Sequence, residues 1–234
     1  MLNPPQEDNQ IQQQKTMTNV LFVAYQFPPR SGAGVHRSLN FVKYLRQYGY
    51  NPIVFTIDEK SIRRETNQID PKLLDQIPSD IQIERIPSYS IGPAAKWLQK
   101  VHLHRFFWVL VPPFCWEWSM PWSFFTYFKA KKLIKKHDIK VVYTSSGPFS
   151  PMMLGYLLQK TTPVKWVADL RDPFTDAYMW IFPTKLHWGI SRLWERFFFS
   201  KPDKLIVNTE SVRELYLQRK LIPAHKIVTL TSGF

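Results

Sequence analysis

The chain has 234 residues, of which 44% are hydrophobic and 21% are charged, a balance typical of a folded globular protein rather than a disordered one. Its formal net charge of +13 favours an anionic partner, such as nucleic acid, an anionic membrane surface or a phosphorylated substrate. Cys115 is the single cysteine, which excludes an internal disulfide and a cysteine-based zinc site. No metal site is predicted.

Residues 1–18 form a stretch rich in Gln and Asn that lacks the basic start and apolar block of a signal peptide. We expect a disordered tail here, followed by one domain over residues 19–234. Met17 is an alternative start to Met1.

The segment Phe106–Phe128 is long enough to cross a bilayer, and Glu117 is its only charged residue. Pro112, Pro113 and Pro121 interrupt it, and a spanning helix tolerates proline poorly. The composition favours an interfacial or protein-packed segment over a membrane span.

Apolar runs alternate with helical patterns from residue 19 onward, which predicts an α/β fold with a Rossmann-like, doubly wound and mainly parallel sheet. The predicted strands are Val20–Tyr25, Ile53–Ile57, Ile81–Ile86 (near an edge), Lys140–Ser145, Val164–Leu170, Lys204–Asn208 and Ile227–Leu230. The predicted helices are Gly34–Tyr48, a short helix within Asp58–Asp80, Phe124–His137, Pro151–Lys160, Lys185–Ser200 and a helix ending near Arg219. Pro87–Trp122 reads as irregular.

Aromatic and aliphatic spacing assigns a buried face to three of these helices. The first helix would bury its apolar positions, one of which is Tyr48. The helix Phe124–His137 would bury Phe124, Phe128, Leu133 and Ile134. The helix Lys185–Ser200 would bury Trp188, Leu193, Trp194, Phe197 and Phe198.

The turn Gly32-Ala33-Gly34 joins the first strand to the first helix. A helix N-terminus presents free N–H groups and partial positive charge, and glycine lets another molecule approach closely, so the turn suits an anion. The alternative is a plain tight turn, because neither the dinucleotide fingerprint nor a Walker loop is present. His36 and Arg37 share the first helical turn and are either ligand contacts or ordinary surface and packing residues.

Polar residues follow three further strands, at the edge of the sheet where ligands bind in such folds. They are Ser145, Ser146, Gly147, Asp169, Arg171, Asp172, Asn208 and Glu210. The cluster of Asp169, Arg171 and Asp172 suits hydroxyl binding, base catalysis or a phosphate contact. An internal salt bridge is the alternative.

A basic helical face carries Lys131, Lys132, Lys135 and Lys136, and it follows Trp116, Trp118 and Trp122. Such a face is either simply solvated or docks on an anionic membrane surface. No nucleic-acid-binding motif is present, so no nucleic-acid partner is expected.

Five stretches occur in a characteristic order: VLFVAYQFPPRSGAGVHRSLNFVKYL, YTSSGPFSP, WVADLRDPF, PDKLIVNTESVRELY and IVTLTSGF. Together they resemble the amino-terminal domain of glycosyltransferase family four. These GT-B enzymes transfer a sugar from a nucleotide-sugar donor with retention of configuration. The resemblance covers nearly the whole chain from Asn19 onward.

The resemblance implies that Gly32, Ala33 and Gly34 lie against the donor diphosphate and sugar. His36, in the adjoining helical turn, is a further candidate for contact with the donor. The resemblance also implies that the polar strand ends line the cleft, with Asp169, Arg171 and Asp172 as catalytic candidates and the serine and asparagine ends toward the acceptor. Many relatives have a His-Asp pair where this chain has Arg171-Asp172, so the role of that histidine is not carried over. No tightly bound cofactor and no metal are implied.

The closing IVTLTSGF resembles the passage into the family's second, nucleotide-binding domain, so we expect a chain that is truncated, split from a partner chain, or degenerate. The expected function is sugar transfer to a lipid-linked or polysaccharide acceptor in surface glycan synthesis, at the cytoplasmic face of the cell membrane. A non-catalytic membrane- or acceptor-binding module is the alternative. An unrelated phosphate-binding enzyme such as a dehydrogenase is a third, weaker one.

Overall fold

A computed structural model describes residues 17–89, 118–176, 182 and 184–232. In these residues seven strands form one sheet in the order β3-β2-β1-β4-β5-β6-β7, and every neighbouring pair is parallel. The strands are β1 Thr18–Ala24, β2 Tyr50–Ile57, β3 Ile83–Ile86, β4 Val141–Ser145, β5 Lys165–Leu170, β6 Lys204–Val207 and β7 Ile227–Thr229. The predicted Rossmann-like parallel sheet is therefore confirmed, with β3 at an edge as expected.

Helices connect the strands throughout the described residues. They are α1 Ala33–Leu45, α2 Glu59–Glu65, α3 Met120–Lys136, α4 Ser150–Thr161, α5 Lys185–Phe199 and α6 Glu210–Gln218, with 3₁₀ turns at Arg46–Tyr48, Pro71–Leu73 and Ala224–Lys226. Every predicted strand and helix is present with bounds shifted by a few residues. Most of the irregular segment lies outside the described residues, and the expected tail is described only at its last two positions.

Alternating side chains of β1 belong to two different cores, because successive residues of a strand point to opposite faces. Leu21 and Val23 join the core that also contains Trp122 of α3. Val20 and Phe22 join the core on the side of α1. The sheet is thus covered on both faces, as a parallel sheet requires.

The buried face of α3 differs from the predicted one. Phe124 is 51% exposed and Phe128 is 77% exposed, whereas Leu133 and Ile134 are buried as expected. Small and polar residues face inward instead, and the Ser123 hydroxyl donates a hydrogen bond of 2.8 Å to the backbone oxygen of Ser150 in α4. Such small side chains let α3 and α4 approach closely. The phenylalanines lie on the outer surface of α3 instead.

The position of Trp122 on α3 also differs from the prediction. Its side chain is completely buried and its ring lies 5.4 Å from that of Tyr25 and 5.6 Å from that of Phe55. The expectation that it contacts a membrane is therefore wrong. Trp118 is 39% exposed, and Trp116 lies outside the described residues.

The buried face of α5 is also mostly different from the prediction. Phe198 is buried as expected, but Leu193 is 68% exposed and Trp188 and Phe197 are 46% and 40% exposed. The inward positions include His187, Ser191 and Glu195. Glu195 accepts hydrogen bonds from the Tyr216 hydroxyl and the Thr175 backbone. A buried polar network thus replaces the apolar face that the spacing suggested.

Candidate functional site

A groove of about 1060 Å³ opens at the carboxyl ends of the strands, between α1 and the ends of β5, β6 and β7. This is the edge at which ligands bind in open parallel sheets. Of the residues singled out in the sequence, the groove brings together Ala33, Gly34, His36, Arg171, Asp172 and Asn208. Two arginines, Arg37 and Arg171, are among the residues that line the groove, and they form different contacts.

Arg37 forms a buried pair with Asp169. Its Nε donates to Oδ2 of Asp169 at 2.9 Å and its Nη2 donates to Oδ1 at 2.7 Å. Arg37 is 5% exposed and Asp169 is not exposed at all. Burial, the largest influence, lowers the pKa of Arg37, but the hydrogen bond and charge of Asp169 outweigh it and raise that pKa.

This pairing changes the roles expected for both residues. The carboxylate of Asp169 does not reach the surface, so the geometry supports a positioning role rather than direct catalysis. Arg37 is committed to Asp169, and its Nη1 donates to the Ser232 hydroxyl at 3.2 Å. Asp169 does form an internal salt bridge, but its partner is Arg37 and not Arg171, so the alternative interpretation of the Asp169, Arg171 and Asp172 cluster named the wrong pair. The Arg37–Asp169 pair ties α1, β5 and the segment after β7 together.

Arg171 lies at the other end of the same site and is held by backbone oxygens. Its Nε donates to the Ser146 oxygen at 2.6 Å and its Nη2 donates to the Gly147 oxygen at 2.8 Å. Ser145 and Ser146 are 4% and 2% exposed. Ser146 and Gly147 therefore support Arg171, while Ser145 accepts a hydrogen bond of 3.4 Å from the Ser38 hydroxyl. Ser145, Ser146 and Gly147 are not among the residues that line the groove, contrary to the position toward the acceptor or cleft that we expected.

The glycines explain how Arg171 fits. A Cβ added to Gly34 would lie 1.1 Å from Nη1 of Arg171, and one added to Gly147 would lie 2.0 Å from its Nη2. The close approach that glycine permits at these positions is made by a side chain of the protein itself. Gly32 differs, because its φ of 127° favours glycine and the space beside it is open.

The surroundings of Arg171 leave its positive charge poorly compensated. Burial, the largest influence, lowers its pKa, Asp169 and Asp172 raise it, and Arg37 lowers it further. Within the described residues no carboxylate forms an ion pair with Arg171. The neighbouring N-terminus of α1 has no acidic residue in its first turn and no side-chain cap. A guanidinium and a helix N-terminus side by side attract anions, and we call this position the anion site.

The other predicted residues divide into exposed and internally bonded groups. His36 and Asp172 are exposed and line the groove. Asn208 also lines it, while its Oδ1 accepts hydrogen bonds from the backbone nitrogen and hydroxyl of Ser232 at 2.9 and 3.2 Å. Glu210 is outside the groove and accepts bonds of 2.5 Å from both Arg213 and Thr229.

Sequence reasoning missed the Arg37–Asp169 pair and the participation of Ser232. One signal was available: Asp169 lies within the apolar run Val164–Leu170, and a buried carboxylate requires a charged or hydrogen-bonding partner. The identity of that partner depended on the packing of α1 against the sheet.

A second region with ligand-binding character is the outer surface of α3. It exposes three phenylalanines and a series of lysines: Phe124, Phe125, Phe128, Lys129, Lys131, Lys132, Lys135 and Lys136. No helix in the part of the chain that the structure describes is long and apolar enough to cross a membrane. The same part contains no group of three or more His, Cys, Asp or Glu residues placed to hold a metal ion.

The strand order, the alternating helices and the groove beside α1 define the Rossmann-like domain of the GT-B class. The sequence pattern of Glycosyltransferase Family 4 matches residues 31–234, and the chain belongs to that family. A search of curated protein sequences finds no match.

Solved structures show the same fold. A glycosyltransferase from Rickettsia africae aligns at 17% identity and a TM-score of 0.53, over 93% of this chain and 43% of that one. Sucrose-phosphate synthase from Thermosynechococcus elongatus aligns at 12% identity and a TM-score of 0.54, over 93% of this chain and 48% of that one. A UDP-N-acetylglucosamine 2-epimerase aligns at 12% identity and a TM-score of 0.51, over 91% of this chain and 48% of that one. The chain spans less than half the length of these structures.

Proposed function

We propose that this chain is the acceptor-side domain of a retaining glycosyltransferase. In this proposal the enzyme moves a sugar from a nucleotide-sugar to a lipid-linked or polysaccharide acceptor during surface glycan synthesis. The nucleotide is held by a second domain, on this chain or on another. The family membership supports the reaction class, while the retention, the acceptor and the pathway are parts of the proposal.

The observation that carries the proposal is the under-compensated charge of Arg171 at the N-terminus of α1. A diphosphate that leaves a sugar gains negative charge in the transition state, and fixed positive groups at that point lower the barrier. The Nη1 group of Arg171 faces Gly34 and makes no hydrogen bond to the described part of the chain. It is therefore available to a phosphate oxygen, together with the N–H groups beside Gly32.

Two exposed side chains complete the proposed chemistry. Asp172 lines the groove next to Arg171 and, unlike Asp169, exposes its carboxylate. A carboxylate in this position serves as a base or as a contact to a sugar hydroxyl. His36 lies in the first turn of α1 and lines the same groove, where it would contact the donor.

The outer surface of α3 supports the membrane part of the proposal. Aromatic side chains enter the interface between lipid and water, and exposed lysines are attracted to anionic head groups. Phe124, Phe125 and Phe128 lie on the same exposed face as the lysines. The enzyme would thus act peripherally at the cytoplasmic face of the membrane, where a lipid-linked acceptor is within reach.

The test is release of nucleoside diphosphate from UDP-, GDP- and ADP-sugars in the presence of vesicles that carry lipid-linked acceptor. The chain is assayed alone and with a polypeptide that supplies a family-four nucleotide-binding domain. We expect release from the combined protein and a fall of about 10²-fold or more in Asp172→Asn. No release from any donor by the combined protein would contradict the catalytic proposal.

The second candidate is a non-catalytic module that binds a membrane or an acceptor, and the exposed surface of α3 favours it. Sedimentation with anionic vesicles and calorimetry with UDP and GDP separate the two candidates. Vesicle binding with no nucleotide affinity, even beside the partner domain, supports the module.

A further inference from the structure

The carboxyl-terminal part of α1 and the 3₁₀ turn that follows it present aromatic rings to the groove. Phe41, Tyr44 and Tyr48 follow one another at intervals of three or four residues, which places them on one side of the helix. Tyr44 is 52% exposed and Tyr48 is 76% exposed. Tyr48 was expected inside, but the inward face of the helix is already occupied by Val35, Leu39 and Val42. We call Phe41, Tyr44 and Tyr48 the aromatic flank.

The aromatic flank is anchored in the core at one end. The ring of Phe41 lies 5.1 Å from that of Tyr143, and Tyr143 stacks on Phe22 at 4.6 Å. The guanidinium carbon of Arg37 lies 5.2 Å from the centre of the Phe41 ring. Phe41 is thereby fixed to the Arg37–Asp169 pair. The two tyrosines extend from this fixed point and leave much of their ring surface to solvent.

Polar side chains accompany the aromatic flank along the groove. Asn40 and His36 are exposed on α1 itself, and Asn208, Thr209 and Thr231 lie on the opposite wall. An alkyl chain would bury the Asn40 amide and the Thr231 hydroxyl without partners, which is unfavourable. A sugar suits both features, since its apolar face stacks on an aromatic ring and its hydroxyls bond to amide and hydroxyl groups.

The groove is also larger than a sugar and a phosphate require. Its volume of about 1060 Å³ lies slightly above the ~300–1,000 Å³ typical of small-molecule pockets. From Gly34 to Tyr48 the helix and its final turn extend roughly 20 Å at 1.5 Å per residue. The anion site occupies only the end near Gly34, so the aromatic flank is left for a second ligand.

We propose that the aromatic flank is a binding subsite for a chain of sugar residues. The glycan lies along α1 with sugar faces against Tyr44 and Tyr48, and its end reaches the anion site at Gly34. As the acceptor site of the transferase this inference rests on the proposed function. Glycan binding itself does not require donor turnover and is measured separately.

The test compares the wild-type chain with Tyr44→Ala/Tyr48→Ala. Binding is measured by saturation-transfer NMR and calorimetry with maltoheptaose, cellohexaose, chitohexaose and isomaltohexaose, after a glycan-array screen. We expect the double variant to lose at least tenfold in affinity for the best oligosaccharide. The double variant Tyr44→Phe/Tyr48→Phe keeps the rings and is expected to stay within about threefold of the wild type.

Tyr50→Ala is the matched control. Tyr50 is 39% exposed at the start of β2 and is not among the residues that line the groove. We expect Tyr50→Ala to bind oligosaccharide within twofold of the wild type. All variants should keep the wild-type affinity for UDP, so a failure of the anion site and a failure of the glycan subsite remain distinguishable.

Three results would overturn the inference. The first is no oligosaccharide binding on the array or in solution. The second is an equal loss in Tyr50→Ala. The third is binding of monomeric dodecylphosphocholine that depends on both tyrosines while no oligosaccharide binds, which would assign the groove to an acyl chain.

Discussion

The carboxyl-end site and the outer surface of α3 are both rich in cations and aromatic rings, but they hold them differently. At the site Arg37 and Arg171 are buried or nearly so, and each is fixed by directed hydrogen bonds. On α3 the lysines are exposed, and contacts such as Lys129 to Glu84 at 3.6 Å lie at the surface. Buried charges depend on particular partners, whereas exposed charges act through their summed field.

The largest expected effect tests this difference directly. Asp169→Asn leaves Arg37 buried without its counter-charge, and breaking a buried pair in this way costs about 3–5 kcal/mol. We expect the free energy of unfolding, measured by urea titration, to fall by that amount. Asp80→Asn is the control, because Asp80 pairs with Arg46 at the surface and an exposed ion pair adds little to stability. Equal losses in the two variants would show that burial is not the deciding factor.

The second largest expected effect concerns the exposed lysines on the outer surface of α3. Replacing Lys131, Lys132, Lys135 and Lys136 with Gln should weaken binding to vesicles that contain phosphatidylserine by up to about 4 kcal/mol, at ~1 kcal/mol per lysine near the surface. The measurement is vesicle sedimentation at several salt concentrations. The matched control removes the same charge elsewhere, at Lys160, Lys165, Lys201 and Lys204. A comparable loss in the control would mean that net charge alone attracts the protein.

Gly34→Ala is expected to have an intermediate effect. The added methyl group would occupy the position of Nη1 of Arg171, so the guanidinium must move away from the anion site. Loss of charged hydrogen bonds worth about 1.5–3 kcal/mol should weaken pyrophosphate binding roughly 10- to 100-fold in calorimetry. Gly189→Ala is the control, since nothing lies within 4 Å of the added methyl group, and pyrophosphate binding should not change.

The smallest predicted effect concerns pH. Burial, the largest influence, raises the pKa of Glu195, although Tyr216, Arg219 and Arg192 act against it. A raised pKa means that the folded state binds the proton more tightly than the unfolded chain. The free energy of unfolding should therefore fall as pH rises from the ordinary glutamate pKa through the raised value. We expect Glu195→Gln to lack this fall, which is on the order of 1 kcal/mol per pKa unit. A parallel pH profile in the variant would contradict this role.

The sheet could be predicted from the sequence, because the signals that mark each strand and helix are local. Apolar runs and glycine turns mark the ends of elements, and the structure places β1, β2 and β5 within a few residues of the apolar runs. The order of helices and strands then determines the parallel topology.

The faces of α3 and α5 were not predictable from the same signals. Aromatic spacing assigned Phe124 and Phe128 to the core, but a surface that contacts a ligand or membrane also uses aromatic residues. Ser123 and Glu195 are buried because they bond to other elements, and those partners are distant in sequence. The site was predicted in location, since it lies at the strand ends, but the bonding of Arg37 and Arg171 depends on tertiary contacts.

Calorimetric titration of UDP into the wild-type chain and into Arg171→Met tests most directly whether Arg171 and the N-terminus of α1 form a phosphate site. Arg196→Met is the control, since Arg196 is an exposed arginine on α5. We predict measurable UDP binding by the wild type, at least a tenfold loss in Arg171→Met and no change in Arg196→Met. Equal affinity in all three proteins, or no binding by the wild type, would contradict the central claim.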